Sequence, residues 1–348
     1  MHTSKYLLLA LTNFAGISAL AGKPSRTPTS FTATEIFSFP PTNPVFIENI
    51  FVLPDNRLLL SHFGGPGPDS PLYILNQTSA QVSIVGSLPN STAQTGIAAL
   101  GGDRYAITAG VVGDNFEFIE GSVNVFIISL PNGSGTASVV DAIPVGNTIN
   151  MNGLVSLPSP SGDRHILLSA DSRGGRILRI DTQTRTSSVA FTDPLFGRDP
   201  NNVDAGSIAI TGVNGLSLRG SCLYFSNSAQ GIVGVVKIND LGYRAGDAKV
   251  LSRIRGNVTL ENFFDDLAVD RRGNAYVAWE TRTLVKVAKV SGRQTVILGP
   301  GGVSNGNVTL RYPTAVKVGL SGEEVYVATG GILDNGDMLG GQVVKVQI

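Results

Sequence analysis

Three side chains in this sequence could place oxygen ligands around one point. Glu48, Asn214 and Asp265 each open a short apolar segment, and similar segments recur along most of the chain. Two carboxylates and an amide oxygen suit Ca²⁺, Mg²⁺ or Mn²⁺, and Zn²⁺ is also compatible with the set. Asn and Asp at such positions also cap strand starts and turns, which is the alternative role. The spacing alone leaves both roles open.

The elements that would position these side chains are repeated β-strand units. Segment 262–286 contains one copy, in which an acidic pair leads into an apolar strand, a Gly-Asn turn and two further strands. Alternating apolar positions around such turns are typical of an antiparallel meander. Six units start 47 to 62 residues apart, at Glu48, Thr95, Asn152, Asn214, Asp265 and Pro313. No stretch keeps a helical period, so we predict an all-β fold, a six-bladed β-propeller.

The two ends of the repeated region are each incomplete. Segment 31–40 alternates as a single strand with no hairpin partner nearby, while the sixth unit ends after three strands, the last at 343–347. Pairing these two segments would complete the last blade and remove an exposed sheet edge from each end. We therefore expect the N- and C-terminal strands to close the propeller.

A closed ring gives the strand starts a common location. The innermost strand of every blade enters from one face, so its first residues converge on the mouth of the central channel. The predicted inner ring comprises Glu48, Thr95, Asn152, Asn214, Asp265 and Thr314. The ends of the second strands return to the same face, and the predicted outer ring comprises His62, Asp171, Asn227, Trp279 and Glu280.

Aromatic residues cluster in the segments beside this predicted mouth. They are Phe63, Phe116, Phe118, Phe263, Phe264, Trp279 and Tyr312. Pockets for small molecules are mostly apolar with a few placed polar groups, whereas each aromatic alone is explained by packing between sheets. Loop 193–210, the longest connection without clear strands, should lie over the same face. We expect a small apolar substrate.

Composition and targeting signals limit the class of protein. The 348 residues include 42 Gly and carry no formal net charge, and no basic run is present to bind nucleic acid. Residues 1–21 have the pattern of a signal peptide, with a short membrane anchor as the alternative, and 22–30 form a flexible lead to a single domain at 31–348. We expect a secreted monomer without membrane contact after signal removal. Five glycosylation sequons are compatible with that route.

Other catalytic arrangements are weak in this sequence. The single cysteine, Cys222, lies in an apolar strand and excludes an internal disulfide. No nucleophile elbow, phosphate-binding loop or zinc-type Cys/His cluster is present, so we predict neither a nucleotide nor an organic cofactor. A divalent metal remains the one cofactor that the residues suggest.

The short sequence motifs that open the first, fourth and fifth units resemble those of a known family. Residues 48–50, 214–216 and 265–267 are similar to the regucalcin/gluconolactonase-like six-bladed propellers, also called the senescence-marker-protein family, and the resemblance covers 31–348. It implies that Glu48, Asn214 and Asp265 hold a divalent metal and that Asn152 contacts metal-bound water or substrate. The family's lactonases have an Arg two residues before that Asn, where this chain has Asn150.

A closer resemblance is to the secreted fungal branch of that family. Residues 48–50, 212–216 and 265–268 are similar to that branch, which includes the hetero-Diels–Alderases of tropolone-sesquiterpenoid biosynthesis. The resemblance implies cycloaddition of a quinone-methide-type heterodiene to an apolar terpene alkene. For that reaction we expect Asp265 and Glu48 to be the catalytic groups that help eliminate water and so unmask the heterodiene. Metal-dependent lactone hydrolysis and non-catalytic binding are the alternatives. The expected substrate contacts are Asn152, His62, Trp279, Thr95 and Phe264.

Overall fold

The computed structural model describes residues 31–348 except 66, 114–115, 159–164, 306 and 334. The predicted signal peptide at 1–21 and lead at 22–30 lie outside the described residues. The first strand is β1 (Phe31–Ser38), and the first two blades follow as β2 (Ile47–Val52), β3 (Leu58–His62), β4 (Ser70–Asn76), β5 (Gln81–Leu88), β6 (Ala93–Gly101), β7 (Arg104–Gly110), β8 (Asn124–Ser129) and β9 (Ser138–Pro144).

The third and fourth blades are separated by the long loop predicted above. The strands are β10 (Met151–Ser156), β11 (Ile166–Asp171), β12 (Arg176–Asp181), β13 (Thr186–Thr192), β14 (Val213–Arg219), β15 (Cys222–Asn227), β16 (Ile232–Lys237) and β17 (Lys249–Arg253). Between β13 and β14 the chain forms two 3₁₀-helices, Pro194–Phe196 and Val203–Ile210, and Gly206 kinks the second with a φ of 52°. No helix in the described ranges is long and apolar enough to cross a membrane.

The last two blades complete the ring. Their strands are β18 (Phe264–Val269), β19 (Ala275–Trp279), β20 (Thr283–Val287), β21 (Gln294–Leu298), β22 (Ser304–Asn305), β23 (Pro313–Val318), β24 (Glu324–Thr329) and β25 (Gln342–Gln347). Five sheets are four-stranded in sequence order, and the sixth has the order β22-β1-β25-β24-β23. The described chain is therefore an all-β, six-bladed propeller, as the repeat predicts.

Closure of the last blade takes the predicted form. Strand β1 pairs antiparallel with β25, from Thr32 opposite Gln347 to Ser38 opposite Gln342. Glu35 of β1 also accepts hydrogen bonds from the side chains of Gln342 and Arg311. The two residues of β22 add to the outer edge of β1 in parallel. Backbone pairing and a partly exposed polar contact thus join the two ends of the ring.

Local turn chemistry and apolar packing account for the blades. In the β18–β19 hairpin, Asp270 Oδ1 accepts from the backbone N–H groups of Arg272 and Asn274, both at 2.8 Å, and Gly273 has a φ of 89°. An aspartate that holds its own turn and a glycine at positive φ are what this tight reversal requires. The core lies between neighbouring blades, where apolar side chains of adjacent sheets interdigitate.

Every innermost strand carries the same irregularity at its start. The pairing of β2, β6, β10, β14, β18 and β23 with their second strands shifts register at the positions that include Glu48, Thr95, Asn152, Asn214, Asp265 and Thr314. A bulge bends a strand and re-aims the side chain at that point, and bulges are frequent beside active sites. Six such bulges at equivalent positions direct the strand starts toward the channel axis.

Candidate functional site

Four of the predicted inner-ring residues are joined by hydrogen bonds at the axis. Glu48 Oε1 accepts from Asn152 Nδ2 at 3.0 Å, across two non-adjacent blades. Asn214 Nδ2 donates to Asp265 Oδ1 at 2.8 Å and to Ser228 Oγ at 2.9 Å. Asp265 is 8% exposed, whereas Glu48 is half-buried. The bulges therefore bring together the two acids and two amides that the sequence places at one point.

A third carboxyl, Glu280, belongs to this axial group. Glu280 follows β19, is 6% exposed and lies close enough to Asp265 and Glu48 for their charges to act on it. Burial raises its pKa well above the ordinary range, and the charges of Asp265 and Glu48 add to that effect. The sequence placed Glu280 in the outer ring without assigning it a role, so the structure adds it to the site.

The two predicted catalytic acids share this electrostatic environment. Burial raises the pKa of Glu48 to about 7, with a further rise from Asp266, although the hydrogen bond from Asn152 lowers it. Burial also raises the pKa of Asp265 well above its usual value, as do the charges of Glu48 and Asp266. Carboxyl groups that hold protons at neutral pH are suited to general acid catalysis.

The donor set at the axis fits a divalent cation. The buried Oδ1 of Asn214 accepts no hydrogen bond, and neither does the buried Oε1 of Glu280. Unpartnered buried oxygens beside carboxylates are costly, and an oxygen-preferring cation would satisfy them. No cluster of three His, Cys, Asp or Glu side chains with metal-binding geometry occurs among the described residues. The fit therefore depends on the amide oxygen of Asn214 as well as on the acids.

An aromatic-walled cavity opens above the axial group. Its volume is about 100 Å³, and Glu48, Thr95, Asn152, Asn214 and Asp265 line its inner end. Its walls include Phe46, Phe63, Phe116, Phe263 and Tyr312. These rings contact one another edge-on or tilted, with centroid separations of 5.8 to 6.5 Å. The predicted apolar mouth is thus present as a wall of aromatic rings.

Two of the aromatic wall residues have backbone conformations that are uncommon for bulky side chains. Phe116 has a φ of 58° and Tyr312 a φ of 61°. Left-handed backbone at a bulky residue costs energy and persists only where surrounding contacts enforce it. The carbonyl of Tyr312 accepts from Gly330 N at 2.7 Å, and that of Phe116 from Asn150 Nδ2 at 3.3 Å. Both strained aromatics of the described chain face the same cavity.

Arg173 is a lining residue that the sequence did not single out. Its side chain is buried, and its Nε lies 2.7 Å from Glu117 Oε1. Burial lowers the pKa of this guanidinium, while the neighbouring Glu117 raises it. Arg173 follows the second strand of the third blade by two residues, and that position next to the predicted ring was the available signal. It brings a cation to a mouth in which Asn150 stands where lactonases have an Arg.

Three predicted substrate contacts lie elsewhere. His62 is buried, its Nε2 forms a hydrogen bond with Ser70 Oγ at 2.9 Å, and it does not line the cavity. Trp279 donates to Asn262 Oδ1 at 2.7 Å and packs edge-on against the fully buried Phe264. Strand ends that approach the same face can thus bury their side chains between blades. His62, Trp279 and Phe264 are therefore buried and do not line the cavity.

The remaining ring residues mostly hold loops and strands together. Thr95 lines the cavity and donates through Oγ1 to Met151 O at 2.8 Å, while Thr314 donates to Ile47 O at 2.7 Å. Asp171 forms an ion pair with Arg176 at 2.7 Å. Asn227 donates to the backbone of the long loop before β14. That loop does lie over the mouth, because Ser207, Ile208 and Thr211 line the cavity.

Comparison with known proteins identifies the fold but no family. No family model matches the sequence, and no curated protein matches it significantly. Among solved structures, the chain is similar to a luciferin-regenerating enzyme, with 13% identity, a TM-score of 0.57 and coverage of 91% of this chain and 95% of that one. It is also similar to the calcium-binding protein regucalcin from Agrobacterium tumefaciens, with 13% identity, a TM-score of 0.55 and coverage of 90% and 95%.

A gluconolactonase from Xanthomonas campestris is a third similar structure. The identity is 11%, the TM-score is 0.53, and the match covers 88% of this chain and 86% of that chain. These structures share one six-bladed architecture while differing in described activity. At such low identity the likeness establishes the fold alone.

Proposed function

We propose that this protein is an enzyme that acts on a small, largely apolar molecule, with Glu48 and Asp265 as acid–base groups. The observation that carries the proposal is the position of Glu48 and Asp265, two carboxyls with raised pKa, at the inner end of an aromatic cavity, with the buried Glu280 beside them. Perturbed carboxyls in a concave pocket are a frequent mark of catalytic sites. The cavity wall supplies the apolar contact area, and the axial acids supply the chemistry.

The reaction that we propose is loss of water followed by hetero-Diels–Alder cycloaddition. Glu48, whose pKa is about 7, can protonate a departing hydroxyl at neutral pH, and a neighbouring carboxylate can take up the proton released as the heterodiene forms. The heterodiene then forms one C–O and one C–C bond with an alkene and needs no nucleophile. Holding both partners in register can contribute up to about 7–11 kcal/mol. Thr95 and Asn152 lie where they can orient the oxygen-bearing partner.

A divalent metal is compatible with the same site. Glu48, Asp265 and the free Oδ1 of Asn214 would hold it. When bound, such an ion polarises a carbonyl or hydroxyl oxygen of the substrate. In its presence the carboxyls would be ionised, so the proton-donor role of Glu48 and metal binding compete for the same oxygens.

Lactone hydrolysis is the second candidate function, and the unpartnered Oδ1 of Asn214 favours it. That oxygen, together with two acids, is the kind of donor set that a hydrolase would use, and a gluconolactonase shares the fold. Asp265 would serve as the base that activates water. Against this candidate, aromatic walls suit an apolar ligand better than a polyhydroxylated sugar acid.

The experiment that tests the proposal compares both reactions on one preparation. The purified protein is incubated with a tropolone quinone-methide precursor and a humulene-type alkene, and separately with a panel of aldonolactones, each with and without EDTA. We expect a faster and stereochemically uniform cycloadduct, lost in Glu48→Gln and kept in Glu120→Gln, whose parent side chain is exposed. Metal-dependent lactone opening without a change in cycloaddition would replace this proposal by the hydrolase.

We also propose that the protein is a secreted, glycosylated monomer. All five sequon asparagines are exposed, as glycan attachment requires. They are Asn76, Asn90, Asn132, Asn257 and Asn307. Expression in a eukaryotic secretory host should release the protein into the medium with a mass that falls on treatment with an N-glycosidase. Retention in the cell without a mass change would contradict this assignment.

A further inference from the structure

A second cavity lies at the opposite end of the central channel. Its volume is about 420 Å³, within the range of small-molecule pockets. It is lined by the position three residues beyond the bulge on each innermost strand, together with neighbours on those strands. These positions are Phe51, Ala98, Val155, Ser217, Ala268 and Lys317. All six blades therefore contribute to one pocket, as they do at the mouth.

The two cavities are separated by the middle of the channel. Asn49 Nδ2 donates to Asp266 Oδ2 at 3.1 Å, which links blades one and five across the axis. Both side chains are almost fully buried. At the equivalent position of blade four, a Cβ on Gly215 would lie 2.2 Å from Asp266 Oδ1, so only glycine fits there. A molecule in the far cavity would thus not reach Glu48 or Asp265.

Lys317 gives the far cavity its one charge. Every other lining residue is apolar, glycine or serine. None of the ion pairs between described residues includes Lys317. Burial raises the pKa of Asp266, and the charge of Lys317 partly offsets that rise, but the Asp266 carboxyl already accepts from Asn49 Nδ2 and from Leu267 N at 2.7 Å. An ammonium carries three N–H donors, so Lys317 keeps donors for a further acceptor.

We propose that the far cavity binds a small organic anion with an apolar body, such as a medium-chain carboxylate, with its head group on Lys317. The apolar part lies against Phe51, Val155 and Ala268. Charge complementarity sets the sign of the ligand, because covering the Lys317 ammonium with an uncharged apolar molecule would remove it from water without supplying an acceptor. Alcohols of the same length lack the compensating charge and bind less well. The site is independent of the reaction at the mouth.

Calorimetric titration with octanoate, and with octan-1-ol as its uncharged match, tests this assignment on the full chain. We expect octanoate to bind, and Lys317→Gln to weaken it by about 10-fold or more, since hydrogen bonds to charged groups contribute about 1.5–3 kcal/mol. Octan-1-ol should bind equally weakly to both proteins. Lys249→Gln, which removes an exposed lysine on an outer strand, should leave octanoate binding unchanged.

A second pair of variants locates the bound molecule. Ser217→Phe fills the far cavity and should abolish octanoate binding, whereas Phe116→Ala alters only the mouth and should preserve it. Melting curves establish that each variant is folded. Absence of octanoate binding, equal affinity in Lys317→Gln, or loss in Phe116→Ala with retention in Ser217→Phe would each overturn the assignment.

Discussion

The two ends of the central channel are built from the same six strands but differ in chemistry. At the mouth, bulged strand starts present Glu48 and Asp265 beside amides under a wall of aromatic rings. At the far end, the regular parts of the strands present small and aliphatic side chains with one lysine. The acidic side chains lie where the strands are bulged. A bulge turns side chains toward the axis and leaves some backbone N–H and C=O groups outside the sheet hydrogen bonding, so that they can contact loops.

The two ends also differ in how much their residues contribute to activity and to stability. At the mouth, unpartnered oxygens, clustered acids and strained aromatics each reduce the stability of the folded chain. The far end has regular backbone and an uncharged wall apart from Lys317. Functional sites commonly retain features that lower the stability of the folded protein. Changes at the mouth should therefore reduce activity while sparing or improving stability. Changes to the strand framework at the far end should act the other way.

The largest effect should come from removing the proton donor at the mouth. Glu48→Gln keeps the size of the side chain but loses its acid–base function, which contributes typically 10²- to 10⁴-fold in rate. We expect the turnover measured in the cycloaddition assay to fall by that range. Lys317→Gln, at the other end of the channel, should leave turnover unchanged. An equal loss of turnover in both variants would contradict the conclusion that the two ends of the channel act independently.

The pH dependence of stability should show a second, smaller difference. Glu48 has a pKa of about 7 in the folded chain and 4.5 as a free side chain, so the folded state binds more protons between these values. Its contribution is thus complete below pH 4.5 and is lost as pH rises to 7, a decline on the order of 3 kcal/mol. Urea unfolding across this range should give a shallower decline in Glu48→Gln, with Glu120→Gln matching the unaltered protein.

A cation should stabilise the mouth by a comparable or smaller amount. Ligand at about 100 times its dissociation constant adds about 2.7 kcal/mol, which raises the melting temperature by several degrees. We expect Ca²⁺ above pH 7 to produce such a rise, and Asn214→Ala or Asp265→Asn to remove it. Ser217→Ala, at the far end, serves as the control. An unchanged melting temperature in all of these proteins would mean that the axial oxygens only orient ligands.

The smallest effect concerns backbone strain at the rim. Phe116 has a φ of 58° and is 58% exposed, so glycine would relieve strain with little loss of burial. Phe116→Gly should leave the free energy of unfolding unchanged or raise it by up to about 1 kcal/mol, while ligand affinity at the mouth falls. Chemical denaturation and substrate-binding titrations check the two halves of this expectation. A clear loss of stability with unchanged ligand affinity would mean that Phe116 contributes to packing rather than to ligand binding.

The blades and their closure were predictable because strand alternation and turn residues are local signals. The axial group followed from those signals, since equivalent strand starts must converge once the ring is known. His62, Trp279 and Phe264 show the limit of this reasoning. Their positions along the strands were right, but the direction of a side chain at a strand end depends on packing between blades, which spacing does not record.

Other features depended on contacts that only the folded chain shows. Arg173 lines the mouth, and the charges of Glu48 and Asp265 act on Glu280, through the arrangement of neighbouring blades. Lys317 could have been found from the sequence by aligning the six units and comparing the positions three residues after Glu48, Thr95, Asn152, Asn214, Asp265 and Thr314. Lys317 is the one charged residue among those six positions. The far cavity itself could not, since its depth depends on how closely Asn49, Asp266 and Gly215 fill the middle of the channel.

The pairing of Thr32 with Gln347 has a consequence during protein synthesis. The ribosome adds about 5–20 residues per second, so roughly 15 to 60 seconds separate the emergence of the two partner strands. Throughout this interval β1 lacks its antiparallel partner β25, and until β22 is synthesised it lacks both of its neighbours. Chaperones that cover extended, unpaired chain segments would have their longest period of contact with β1.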